Sequence, residues 1–166
     1  MMDLLVQLQA LAADLERSQL PEIFKYAWWV YPAVNTTHII GLALLFGSIV
    51  PLDLRMMGLW RSIPLYDLAR PLTRIALLGA LIAITTGVFL LSVKASVYIN
   101  APIFWAKAGF FTLALLNALF LRFNKPWRYL AQVDSRGTIP RFKSAGFISL
   151  VSWLGVLACG RMFGYL

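Results

Sequence analysis

The sequence predicts an all-α integral membrane protein, a four-helix bundle preceded by an N-terminal amphipathic helix. Three observations lead there. The chain of 166 residues is 60% hydrophobic and only 13% charged, whereas soluble domains carry about 25% charged residues, and its mean hydropathy is +0.75. Four apolar segments, near 30–51, 73–95, 102–122 and 143–164, reach the ~20 residues needed to cross the hydrocarbon. The basic residues gather between those segments. A net charge of +8 could suit nucleic acid or an anionic surface, and this distribution decides for the lipid bilayer and against nucleic acid.

Residues 1–20 are expected to form the surface helix and residues 21–166 the four-span bundle. In the first part Leu4, Leu5, Leu8, Leu11 and Leu15 recur at helical spacing, with Asp3, Gln7, Asp14 and Arg17 between them. That pattern suits a helix lying on the membrane face or packed over the bundle, and Pro21 ends it. No cleavable leader is expected, because Asp3, Asp14 and Glu16 interrupt any apolar run. Pro32 sits near the start of the first span and Pro51 near its end, while Pro64, Pro71, Pro126 and Pro140 punctuate two basic loops.

Arg55, Arg61, Arg70 and Arg74 follow the first span or open the second; Arg122, Lys125, Arg128, Arg136, Arg141 and Lys143 lie between the third and fourth. The opposite side has Arg17, Lys25, Lys94 and Arg161, offset by most of the acidic residues. The positive-inside rule then places both loops in the cytoplasm and both termini outside. Trp28, Trp29, Tyr31, Tyr98, Trp105 and Tyr165 form an outer aromatic belt, and Trp60, Tyr66, Trp127 and Tyr129 an inner one.

The chain has one histidine, His38, inside the first span. An ionisable, metal-competent group in a membrane is costly and is usually retained for a task. It lies on the order of 10–15 Å below the outer end of its helix. Lys107, about 7 Å below the outer end of the third span, can reach toward that depth. Asn35, three residues before His38, is the neighbour expected to orient the ring, and Gly41 leaves room beside it. The competing readings are a hydrogen-bonded core histidine and a lysine that snorkels to the headgroups.

Gly79, Ala83 and Gly87 form a small-residue stripe that predicts helix packing, and Ala114 and Ala118 share the face of Lys107. Cys159 is the only cysteine, which excludes an intramolecular disulfide and a Cys-rich zinc or iron–sulfur site. With Met162 it offers a weak copper-like pair of sulfurs. Asp53 lies some 22 Å along the helix from His38, too far to join it. It is expected to pair with Arg55, Arg74 or another basic loop residue. No phosphate-binding glycine loop, His-Glu-x-x-His motif or nucleophile elbow occurs.

His38–Ile39–Ile40, Arg74 followed by Thr86–Gly87, and Trp105–Ala106–Lys107 resemble a group of small bacterial four-helix membrane proteins. That group includes the HemJ-type protoporphyrinogen oxidases and the CopD copper-resistance proteins. Tyr31–Pro32, His38–Ile39–Ile40–Gly41 and Asp53–Leu54–Arg55 are similar to a family of uncharacterised bacterial inner-membrane proteins, which supplies no function. In the HemJ-type family the corresponding histidine and lysine are implicated in function and the protein carries haem b. The resemblance therefore implies a protein of the bacterial inner membrane and an oxidoreductase of HemJ-like type, while the multi-pass topology with both termini periplasmic follows from the spans and the basic loops. Its haem b or quinone-linked redox site would lie in the outer half of the bilayer around His38.

The haem version has His38 as axial ligand, Lys107 as sixth ligand or propionate partner, and Arg161 as clamp of the second propionate. With no second histidine, bis-histidine ligation within one protomer is excluded, leaving Lys107, methionine, water or a histidine of another chain. Copper is the second choice, since Met-rich and His-rich patches are lacking. The alternative is a small transport or accessory subunit of a membrane complex, in which His38 and Lys107 line a path for a proton, metal ion or small anion. A homo-oligomer or a larger membrane complex is compatible with either.

Overall fold

The structure, a computed structural model, describes residues 2–18, 21–22, 28–124, 127, 129–131 and 140–165. Expectations about Lys25, Lys125, Pro126, Arg128 and Arg136, and about the side chains of Asp3, Leu4 and Leu5, fall outside this description. The elements are α1 (Met2–Arg17), α2 (Val30–Met57), α3 (Leu65–Ser92), α4 (Ala95–Asn100), α5 (Pro102–Phe123) and α6 (Pro140–Met162), followed by a 3-10 turn at Phe163–Tyr165. No strand occurs among the described residues. Helices α2, α3, α5 and α6 are each long and apolar enough to cross a membrane. The chain is thus an all-α, multi-pass membrane protein.

Two spans are longer than expected because their internal prolines do not stop them. α2 and α3 have 28 residues each, with Pro51 and Pro71 inside. At 1.5 Å per residue each helix is about 42 Å long and runs past a ~30 Å hydrocarbon layer. Each proline leaves the carbonyl four residues earlier, Gly47 or Asp67, without its usual helical donor. α2 ends instead at Gly58, whose φ of 112° suits a residue without Cβ. There the amides of Gly58 and Leu59 both return to the Leu54 carbonyl, at 3.2 and 3.0 Å, closing the last turn.

The two loops that follow α2 and α5 lie at one end of the bundle, here the loop end. The start of α2, the end of α6 and the α3–α5 connection lie at the other, the terminal end. α2 is the hub: it packs against α3 on one side and α6 on the other, and α6 in turn carries α5. Leu45, Ala114, Trp153 and Val156 form the central core, and Leu52, Met56, Leu65, Ala69, Leu130 and Phe142 a second core toward the loop end. α3 and α5 keep broad exposed faces, with Leu77, Leu78 and Leu81 on one and Leu116, Leu119 and Phe120 on the other. In a bilayer these faces meet acyl chains, so their exposure costs nothing.

The α2–α3 contact is backbone against backbone. A Cβ added to Gly41 would lie 2.8 Å from the Ala83 nitrogen, and one added to Gly79 would lie 2.6 Å from the Leu45 nitrogen. Gly79 and Ala83 of the predicted stripe therefore act as a packing surface. The third member, Gly87, has another neighbour, the His38 ring.

α1 does not lie free on a surface but is docked on α4 across the terminal end. The Glu16 carboxylate accepts from the Ser96 amide at 2.8 Å and from the Ser96 hydroxyl at 2.9 Å, and Gln9 donates to Asn100 at 3.1 Å. Ala12 and Ala95 are buried in this contact region. A carboxylate receiving an amide in the first turn of a helix satisfies a donor that has no partner within the helix. Glu16→Ala is expected to weaken the docking of α1 by roughly 2 kcal/mol. Amide exchange should then quicken in α1 and α4 and stay unchanged in α2; no change in α1 would show that the apolar contacts hold it alone.

Candidate functional site

His38 is half-buried on the face of α2 turned to α3, one turn toward the terminal end from the Gly41 contact. Because the backbones touch at Gly41 and Gly79, the ring reaches α3 directly. Its Nδ1 is 2.9 Å from the Thr86 hydroxyl. That hydroxyl is 2.6 Å from the Ile82 carbonyl, where its own proton is donated. Thr86 is thereby left as acceptor, so the proton between them belongs to His38 Nδ1. Nε2 is then the unprotonated nitrogen, with its lone pair free. The edge of the ring is packed against Gly87, where a Cβ would stand 3.3 Å from Cε1.

Lys107 comes from the other helix pair. The Phe110 ring is seated on Gly155, where a Cβ would come within 2.7 Å of ring atoms. One turn further toward the terminal end, the Lys107 ammonium lies 3.5 Å from where a Gly160 Cβ would be. It also sits 5.6 Å from the centre of the Phe163 ring. Buried Cys159 is beside it, and no acidic partner is present among the described residues. An ammonium on an aromatic face is held by the ring quadrupole without neutralisation. Lys107 is also the cation whose field reaches His38. All four spans thus contribute to the terminal third of the bundle: His38 from α2, Thr86 and Gly87 from α3, Lys107 from α5, Cys159 and Gly160 from α6.

The other residues singled out from the sequence stand apart. Asn35 is exposed and makes no hydrogen bond with the ring; Thr86 does the orienting. Arg161 is exposed and turned to Tyr165, with its guanidinium 5.0 Å from the ring centre and Nη2 3.3 Å from the hydroxyl. Cys159 is buried while Met162 is 55% exposed, so the two sulfurs do not converge. Ala114 is fully buried in the core, but Ala118 is exposed. The described residues hold no group of three or more His, Cys, Asp or Glu able to bind a metal ion. Gly155 and Gly160 were not singled out from the sequence, although their positions on a span beside a buried cysteine were a usable signal.

Asp53 is 2% exposed and lies between α2 and α6 near the loop end, with its backbone carbonyl against Gly146. Ser149 of α6 is its polar neighbour, and Oδ2 has no hydrogen-bond partner among the described residues. The expected ion pair is absent among the described residues. Arg55 is two residues on, about 200° around the helix, and its Nε donates to the Ile63 carbonyl at 2.6 Å. Arg74 is exposed on α3. Asp53→Asn keeps a hydrogen-bonding group opposite Ser149, and its effect on thermal stability should stay within about 1.5 kcal/mol. A loss near the 3–5 kcal/mol of a broken buried pair would mean that a cation does reach Asp53.

Comparison with known proteins finds no family model, no curated protein and no solved structure that matches the chain.

Proposed function

We propose that this protein is a small membrane redox protein that binds haem b, or exchanges electrons with a quinone, at His38. The observation that carries the reading is the His38–Thr86–Ile82 hydrogen-bond chain. A core histidine bonded to a neighbouring helix would make the same chain, so the reading rests on what the chain leaves over, Nε2, which has no hydrogen-bond partner among the described residues. Here Thr86 holds the proton on Nδ1 and presents Nε2 as the donor atom, which is how ligating imidazoles are usually prepared. The donor set fits a group that takes one strong axial nitrogen, and it does not fit a closed all-protein metal cage. When bound, haem b supplies one-electron chemistry.

The chain's own residues do the rest. His38 would ligate, Thr86 would fix its orientation, and Gly87 lets the ring pack close against α3. Lys107, a cation without an acidic partner, would serve as sixth ligand or as partner of one propionate. Arg161, at the same end, would pair with the other propionate. Copper ranks below haem because Cys159 and Met162 face different surroundings. The second reading, a transport or accessory subunit, is favoured by the same unneutralised Lys107, which could attract a small anion or govern a proton on His38.

The test is optical. Protein expressed with ample haem precursor and purified in detergent should show a Soret band; a colourless sample without iron or copper by elemental analysis would transfer the proposal to transport. The terminal end, bearing His38, is proposed to face the periplasm of a bacterial inner membrane and the loop end the cytoplasm. A cysteine placed at position 64 should react only with membrane-permeant reagents in intact cells, and labelling from outside would invert the orientation.

A further inference from the structure

At the loop end three arginines of two spans line one cavity. Arg70 and Arg74 stand one turn apart on α3, Arg122 is in the last turn of α5, and the cavity between them measures about 320 Å³. None of the three forms an ion pair or a side-chain hydrogen bond with a described residue, and among the described residues no acidic side chain lines the cavity. α3 and α5 are not packed against each other closely, so the space opens between two spans that each border lipid. Trp127 forms part of its wall and is held edge-on to buried Phe142, with ring centres 6.3 Å apart.

The lining changes character with depth. Leu77 lies about 10 Å along α3 from Arg70, deeper in the membrane, while buried Ala69 and Leu130 form part of the wall. Along α3 the arginines thus stand at the mouth and Leu77 on the membrane side. A free inorganic anion would use only the mouth, whereas a phospholipid has a phosphate for the arginines and an acyl chain for Leu77. The positive-inside rule explains why arginines are on this end. It does not explain why three converge on one cavity that no acidic side chain lines among the described residues.

We infer that Arg70, Arg74 and Arg122 form a binding site for the phosphate headgroup of an anionic phospholipid, whose acyl chain runs along Leu77 between α3 and α5. Planar guanidinium groups can hold phosphate oxygens bidentately, and basic pockets between spans are a recognised headgroup site. The site is independent of His38 and of the redox reading.

Native mass spectrometry of delipidated protein with added phosphatidylglycerol tests it, with phosphatidylcholine and inorganic phosphate as the other two ligands. Phosphatidylglycerol is expected to bind in a defined stoichiometry and phosphatidylcholine not. Arg74→Gln and Arg122→Gln should each weaken binding about fivefold. Arg141→Gln, which removes a loop-end cation lying 5.0 Å over the Phe120 ring outside this cavity, should leave binding unchanged. Equal weakening by Arg141→Gln would mean diffuse attraction to basic loops and would overturn the proposal. So would equal binding of phosphatidylcholine, or of inorganic phosphate in place of the lipid. Unchanged melting temperature of the three variants without lipid separates lost binding from lost fold, since each swap is at an exposed position.

Discussion

Detergent-purified His38→Ala, expressed with the same haem supply as the wild type, is expected to lose the Soret band entirely while keeping its helical circular dichroism. The chain contains no other imidazole, so no rearrangement within a protomer can replace the ligand. Thr86→Val is the more discriminating companion. It removes the acceptor of the Nδ1 proton while filling nearly the same volume, so the ring remains but its tautomer is no longer held. Loss of an outer hydrogen-bonding partner of a ligating histidine typically costs 10–100-fold in affinity. Haem should therefore still bind to Thr86→Val, more weakly and with a shifted spectrum. Lys107→Ala is expected to alter the spectrum or potential less than His38→Ala does. An intact Soret band in His38→Ala would move the ligand elsewhere and end the His38 reading, whereas the arginine cavity would be untouched.

Gly79→Ala is expected to be the most damaging single methyl in the protein. The added carbon would stand 2.6 Å from the Leu45 nitrogen, 2.7 Å from the Gly41 carbonyl and 2.9 Å from the Leu44 Cβ. Two of those atoms are backbone, which cannot turn aside, so α2 and α3 must separate. Overpacking of a well-packed interior costs roughly 1–3 kcal/mol and more where the neighbour is rigid, and 3 kcal/mol or above is expected here. The same separation would pull His38 from Thr86, so any cofactor should be lost with stability. Gly47→Ala and Gly109→Ala are the matched controls. Neither has an atom within 4 Å of the new carbon, and in a helix interior each should gain up to about 1 kcal/mol from propensity. Thermal melting of the three variants in one detergent decides the matter. A Gly79→Ala protein as stable as wild type would mean that α2 and α3 do not cross in backbone contact.

The bundle was legible from the sequence because lipid imposes a simple rule. Every backbone polar group must be satisfied within its own helix, so apolar length alone identifies the four spans. The helix ends were less legible. Pro51 and Pro71 read as boundaries but lie inside α2 and α3, since a helix that continues past the hydrocarbon can leave one carbonyl to other partners. That His38 and Lys107 are candidate site residues is legible from the cost of polar groups in lipid, with no knowledge of their neighbours. Asn35 is one turn from His38 on the same helix, whereas the hydrogen-bond partner of the ring, Thr86, is 48 residues away. Proximity likewise favours Arg55, Arg74 or another basic loop residue as the partner of Asp53, but residues two apart on a helix face nearly opposite ways and Arg74 is exposed on α3.

By itself, then, the sequence determined the class of protein, the number of crossings, the clustering of basic charge and which ionisable groups bear the cost of a membrane interior. These follow from composition and one-dimensional spacing, because transfer from water to lipid is a property of each segment alone. Only the tertiary structure decided that Gly41 meets Gly79, that Thr86 holds the proton of His38, that Lys107 rests on Phe163 and Gly160, and that Asp53 faces Ser149. Those are contacts between helices, set by register and rotation, and lipid-solvated helices of the same hydropathy could adopt many rotations until small residues choose one.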